Sequence, residues 1–156
     1  MVNVRTVLVL LLVMVARVAG QSGQTTTKIY ESENFGCEEL KVLVQNLYLQ
    51  IMAMNGASGY IIIYEGRYKP SRNSDQYQLP HIGEGNARII AIRKHMRFLR
   101  ISDARIKIIF GGFRKHLSAE YFVVPTGGLT PKPSLTLKRM RHRKGPVKFY
   151  INPAEC

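Results

Sequence analysis

Gly59-Tyr60-Ile61-Ile62-Ile63-Tyr64-Glu65-Gly66 is the stretch on which the fold turns. Its apolar residues are consecutive rather than alternating, and they are rich in β-branched and aromatic types between two glycines. A run this short is a strand, and one that is apolar on successive positions is buried on both faces. Before it, Glu38 to Asn55 carries Leu40, Leu43, Val44, Leu47, Ile51 and Met54 at three- and four-residue spacing. That spacing predicts a helix with one apolar stripe, begun by Glu38 and Glu39 and stopped by Asn55-Gly56. Earlier still, Lys28-Ile29-Tyr30 is a short β-prone patch inside a polar segment, Thr25 to Gly36.

After the decisive strand, Glu65 to Gly83 is a polar connection of nineteen residues with Pro70 and Pro80. Loops of that length in a compact domain are usually functional. Asn86 to Arg100 predicts a second helix, with Ile89, Ile92, Met96 and Leu99 inward and Arg88, Arg93, Lys94, Arg97 and Arg100 on its other faces. Ala104 to Phe110 alternates as a strand. Gly111-Gly112 is expected as a turn, leading to an antiparallel partner strand over Ala119 to Val124. Pro125 to Pro133 is expected as a Pro/Gly/Thr linker. A charged tail from Leu137 to Lys144 follows, then Pro146 to Ile151 as a further edge strand. The expectation is an α/β fold: a two-layer sandwich in β-α-β-α-β-β order, two helices on one face of a small mixed sheet, with a basic C-terminal tail.

The Leu47-Tyr48-Leu49-Gln50 helix, the Ile-Ile-Ile-Tyr-Glu-Gly strand, the long loop and Asn86 to Met96 together resemble the OmpA-like C-terminal domain family. Leu99 to Ile106 and Phe110-Gly111-Gly112 extend the similarity, which spans Lys28 to Val124. The chain also resembles small exported bacterial proteins. The family resemblance implies a peptidoglycan-binding fold, and it places the family's carboxylate-binding helix arginine on Arg88. The family's Thr-Asp after the second strand is replaced here by Arg67-Tyr68, and its Asn-Arg-Arg by His116-Leu117-Ser118-Ala119. The shared fold is therefore expected without a guarantee of the shared ligand.

Arg5, then ten apolar residues from Val7 to Ala16, then Val18-Ala19-Gly20, have the pattern of a cleavable export signal with Gln21 as the new N-terminus. Ten residues rise about 15 Å as a helix, half of a ~30 Å hydrocarbon core, so an uncleaved anchor is the weaker alternative. No later stretch is long enough to span a membrane. The expected organisation is a signal over 1–20, an OmpA-like domain over 21–125, and a linker with basic tail over 126–156. Localisation is expected to be periplasmic or extracellular.

The chain has 23 Lys and Arg against 10 Asp and Glu. The excess is concentrated from Glu84 to His116 and from Leu129 to Cys156, which points to an anionic partner. Its two cysteines, Cys37 and Cys156, are expected to form a disulfide in an oxidising compartment, worth roughly 4–5 kcal/mol for so long a loop.

No catalytic pattern is present, so the protein is expected not to be an enzyme. Ser118 and His116 have no third member, Glu38 and Glu39 face different ways, and neither Gly111-Gly112 nor Thr126-Gly127-Gly128 has phosphate-loop spacing. His81, His95, His116 and His142 have no ligand spacing with the cysteines, so neither metal nor cofactor is indicated. Two binding surfaces remain. Arg67, Lys69 and Arg88 are expected to converge at the start of the second helix as an anion site, unless Arg88 is only a solvated helix residue. Lys138, Arg139, Arg141, Arg143 and Lys144 make a basic cluster whose alternative is a solvated linker. The first surface suits a peptidoglycan-like polymer of the envelope or extracellular matrix. The second suits acidic glycan, anionic lipid or extracellular nucleic acid, with intracellular nucleic acid excluded by the export signal. Oligomeric state is not specified by these features.

Overall fold

The computed structural model describes residues 25–70 and 73–147. The export signal, the edge strand expected over 146–151 and the pairing of Cys37 with Cys156 therefore fall wholly or partly outside the described residues. The elements are β1 (Thr27–Glu33), α1 (Cys37–Ala53), β2 (Ser58–Arg67), α2 (Glu84–Phe98), β3 (Ile106–His116) and β4 (Ser118–Val124). This is the α/β fold anticipated, in β-α-β-α-β-β order. Helix α1 closes its apolar stripe on the sheet through Leu40, Val44, Leu47 and Ile51, and α2 does so through Ile89, Ile92 and Met96. Burying each such side chain contributes about 1.5–3 kcal/mol.

The four strands lie in the order β1-β4-β2-β3. β2 and β3 are parallel, as a strand–helix–strand crossover requires, and β4 is antiparallel to both β2 and β1. Ile61 and Ile63 of β2 face the helices, while Tyr60, Ile62 and Tyr64 face the other way, and all five are buried.

Two expectations about the last strands are corrected. Gly111-Gly112 is not a turn. It lies inside β3 as a bulge, where the register slips between Ile63 and Tyr64 of β2. Gly112 takes φ +92, and a Cβ on Gly111 would lie 2.5 Å from the Tyr64 ring. A Gly-Gly pair between β-prone runs suits a hairpin or a bulge equally well, and pairing along the whole length of β2 decides it. Nor does β4 pair with β3. It inserts between β1 and β2, so the chain must cross the end of β2 through Leu117 alone. The Leu117 N–H donates to the Arg67 carbonyl at 2.9 Å as it crosses. The crossing runs over Gly66, where a Cβ would lie 2.5 Å from the Leu117 backbone nitrogen and nearer still to the His116 carbonyl.

The segment expected as a linker instead straps the second face of the sheet. Thr26 Oγ1 donates to the Leu129 carbonyl at 2.5 Å beside β1. Thr130 meets Tyr60 at 3.5 Å, and the Ser134 N–H donates to Tyr64 Oη at 2.9 Å over β2. The Thr136 and Leu137 N–H groups both donate to the Phe113 carbonyl at the β3 edge, at 3.1 and 3.0 Å. From there the chain turns to the N-terminal end of α2.

Candidate functional site

The loop after β2 and the start of α2 bring two buried carboxylates together. Glu65 ends the apolar run of β2, and its Oε2 accepts the Gly85 N–H at 2.7 Å. It thereby satisfies one of the donors that a helix N-terminus leaves open. Glu84 Oε2 accepts the His81 N–H at 2.9 Å, and its Oε1 accepts from Arg88 Nη2 at 2.8 Å. Arg88 is buried, with its guanidinium 5.6 Å from the centre of the Phe35 ring and 5.7 Å from that of Tyr68. Burial holds that guanidinium below the usual arginine range, and Glu84 opposes the shift.

Each of the three cations expected at this corner is held in its own way. Arg88 turns inward to Glu84, four residues before it on the same helix. Arg67 is exposed at the end of β2, and Lys69 lies over the Tyr77 ring at 5.5 Å. The positive end of α2 that was to attract a ligand anion already faces Glu65 and Glu84.

The tail arrives on top of this corner. His142 Nε2 meets Glu65 Oε1, and the His142 ring stands edge-on to Phe113 at 6.0 Å. Beside it the Arg143 N–H donates to the Pro80 carbonyl at 2.8 Å. The Arg143 guanidinium donates to Gln78 Oε1 and to Tyr68 Oη, each at 2.8 Å. Of the five basic residues singled out in the tail, Arg143 is therefore a structural clamp. Lys138, Arg139, Arg141 and Lys144 are exposed, and none forms an ion pair with a described residue.

A cleft of about 540 Å³ opens at this junction, with Tyr68, Gln78, His81, Glu84, Arg143 and Lys144 among its walls. Two buried nitrogens of those walls, His81 Nδ1 and Arg143 Nε, have no hydrogen-bond partner among the described residues. Among the described residues no serine, threonine or cysteine hydrogen-bonds to His142. Among the described residues no group of three or more His, Cys, Asp or Glu could hold a metal ion.

A second polar cluster, which the sequence reading missed, lies under the strap. Glu120 is 4% exposed and accepts from Tyr64 Oη at 2.6 Å, Arg114 Nη2 at 2.9 Å and Lys28 Nζ at 3.3 Å. Arg114 stacks 3.6 Å from the Tyr64 ring centre and donates to Ser134 Oγ at 2.5 Å. Burial by itself would raise the Glu120 carboxyl, but hydrogen bonds from Tyr64 and Arg114 outweigh it and hold the group below its ordinary value. The available signal was Glu120 itself, one charged residue amid the apolar strand Ala119 to Val124.

Compared with family models, curated proteins and solved structures, the chain has no match. Among the described residues no helix is long and apolar enough to cross a membrane.

Proposed function

We propose that the protein is an exported, non-catalytic binding module that grips an anionic polymer through the basic segment between Lys138 and Lys144. The observation that carries this reading is the contrast within that segment. Its backbone is tied down at Leu137 and Arg143, while Lys138, Arg139, Arg141 and Lys144 point into solvent without a described carboxylate partner. A cationic row on a fixed backbone loses less conformational entropy on binding than the same row on a loose tail. Export rests on the pattern of residues 1–20, and it makes acidic glycans, anionic lipid or extracellular nucleic acid the polymers in reach.

The test is a salt titration of binding to single-stranded DNA and to heparin. Affinity should fall steeply with salt. Replacing the four exposed cations by Gln should flatten the slope of log affinity against log salt by about three. Unchanged affinity in the fourfold variant would refute the reading.

The cleft favours a second reading, a peptidoglycan-like envelope polymer bound by its polar groups. The two partnerless nitrogens, His81 Nδ1 and Arg143 Nε, are what a short polar ligand would satisfy. This reading no longer needs Arg88 as the ligand's anchor, because Glu84 engages it. Co-sedimentation with purified cell wall that resists moderate salt would favour the cleft over the basic row.

A further inference from the structure

The C-terminal end of the helix layer lies away from the tail and the cleft, which meet α2 at its first turn. β1 and β2 are each antiparallel to β4, and β3 is parallel to β2, so the three run the same way. Helices α1 and α2 each return from the end of one of these strands to the start of the next, so they too share a direction. Their C-terminal ends therefore lie at the same end of the layer. On α1, the residues opposite the buried stripe of Leu40, Val44, Leu47 and Ile51 include Leu49 and Met52, 65% and 52% exposed. On α2, the side away from Ile89, Ile92 and Met96 carries Ile90 and Phe98, 54% and 77% exposed. An exposed phenylalanine and two large aliphatic side chains in the last turns of the two helices, with Ile90 midway along α2, make an apolar surface of the kind that marks an interaction site.

The charges along the second half of α2 are of one sign. Arg93, Lys94, Arg97 and Arg100 are exposed at the same end, and none is ion-paired with a described residue. From Ile90 to Arg105 the only carboxylate is Asp103. Glu84 sits in the first turn of α2, away from these cations, and of the two glutamates in the first turn of α1, Glu38 with Lys41 lies near enough to His95 to act on its charge. The four side chains around this patch can lay their apolar stems along a hydrocarbon boundary while their charges stay at headgroup level. A second copy of the chain docking here by a two-fold axis would set these cations against themselves.

We infer that this end of the helix layer docks on an anionic lipid bilayer surface, with Leu49, Met52 and Phe98 entering the interface and Arg93, Lys94 and Arg97 meeting headgroup phosphates. The tail cluster sits at the N-terminal end of α2, a helix of 15 residues and therefore about 20 Å away. The domain can then hold a bilayer at one end and a polymer at the other.

The chain contains no tryptophan, so Phe98→Trp places a single reporter in the full chain. Its emission should move to shorter wavelength on adding vesicles of equimolar phosphatidylcholine and phosphatidylglycerol, and hardly move with phosphatidylcholine alone. Leu129→Trp, on the strap across the opposite face, should not respond to either. Adding Arg93→Gln, Lys94→Gln and Arg97→Gln to the reporter should raise the lipid concentration at half-shift about a hundredfold. Its melting temperature should not change, since these three side chains hold nothing described in the fold. Replacing the four exposed tail cations by Gln should leave the shift in place. The inference is overturned if the reporter stays unmoved by anionic vesicles, or if the tail variant abolishes the shift. It is also overturned if emission is already short-wavelength before lipid is added, or shortens as protein concentration rises, which would mark a chain segment or second copy as the occupant.

Discussion

The two faces of one sheet are covered by opposite means. Toward the helices, Ile61, Ile63, Ile106 and Tyr121 meet the periodic stripes of α1 and α2, and the contact is almost entirely apolar. Toward the strap, Tyr64, Arg114 and Glu120 meet Ser134, and the covering chain is held by directed hydrogen bonds. Apolar packing adds up over area and tolerates imprecision. The polar covering gains little from each bond, yet each group it buries must find a partner. The helix side should accordingly set how stable the fold is, and the strap side where the tail ends up.

The largest effect should come from the point on which both faces depend. Gly66→Ala places a methyl group in the path of the chain crossing from β3 to β4, and should cost about 3 kcal/mol or more. Circular dichroism should show a fold that is lost or melts far earlier, and a melting temperature like the parent's would mean that the crossing has room. Next, Leu47→Ala on the helix face should cost about 2–5 kcal/mol in denaturant titration, because its site is completely enclosed.

Glu120→Gln tests the strap side and should cost about 1–3 kcal/mol. It also carries a pH signature. A carboxyl held below its ordinary value of 4.5 stabilises the fold above that pH, and the contribution is lost as pH falls through the lower folded-state value. The parent should therefore lose stability on acidification below about pH 4.5, and the variant should lose less. An equal acid loss in both would assign it to other carboxylates. Smallest of all, Ser134→Ala should cost about 1 kcal/mol or less, while making the strap more open to proteolysis. If it cost as much as Leu47→Ala, the contrast between the two faces would fail.

What could be read from the residues alone follows the same division. Both helices were visible because apolar spacing repeats along them, and β2 because its short unbroken apolar run stands between glycines, signals that survive without knowledge of tertiary contacts. The inserted position of β4 was not visible, since nothing local to Ala119–Val124 distinguishes a neighbour in β3 from one in β2 or β1. The strap was misread as linker because Thr130, Ser134 and Thr136 act singly, through partners more than twenty residues away in the chain. At the candidate site, the inward turn of Arg88 was readable in principle. Glu84 precedes it by four positions on one helix, the spacing at which opposite charges meet. Glu65 was less accessible, because its role depends on a helix that begins across a long loop.

The insertion of β4 also governs the order in which the sheet can be assembled. Among the described residues β1 has one strand neighbour, β4, whose Ser118 pairs with Glu33 across 85 positions of chain. Until β4 has been made, β1 has no edge to join, and the β2–α2–β3 unit can form only half of the sheet. Closing so large a loop costs entropy before any pairing is gained, which puts the slow step of folding at the arrival of the last strand. A chain shortened to end before Ser118 would keep both helices in its sequence and still lack the piece that joins its two halves.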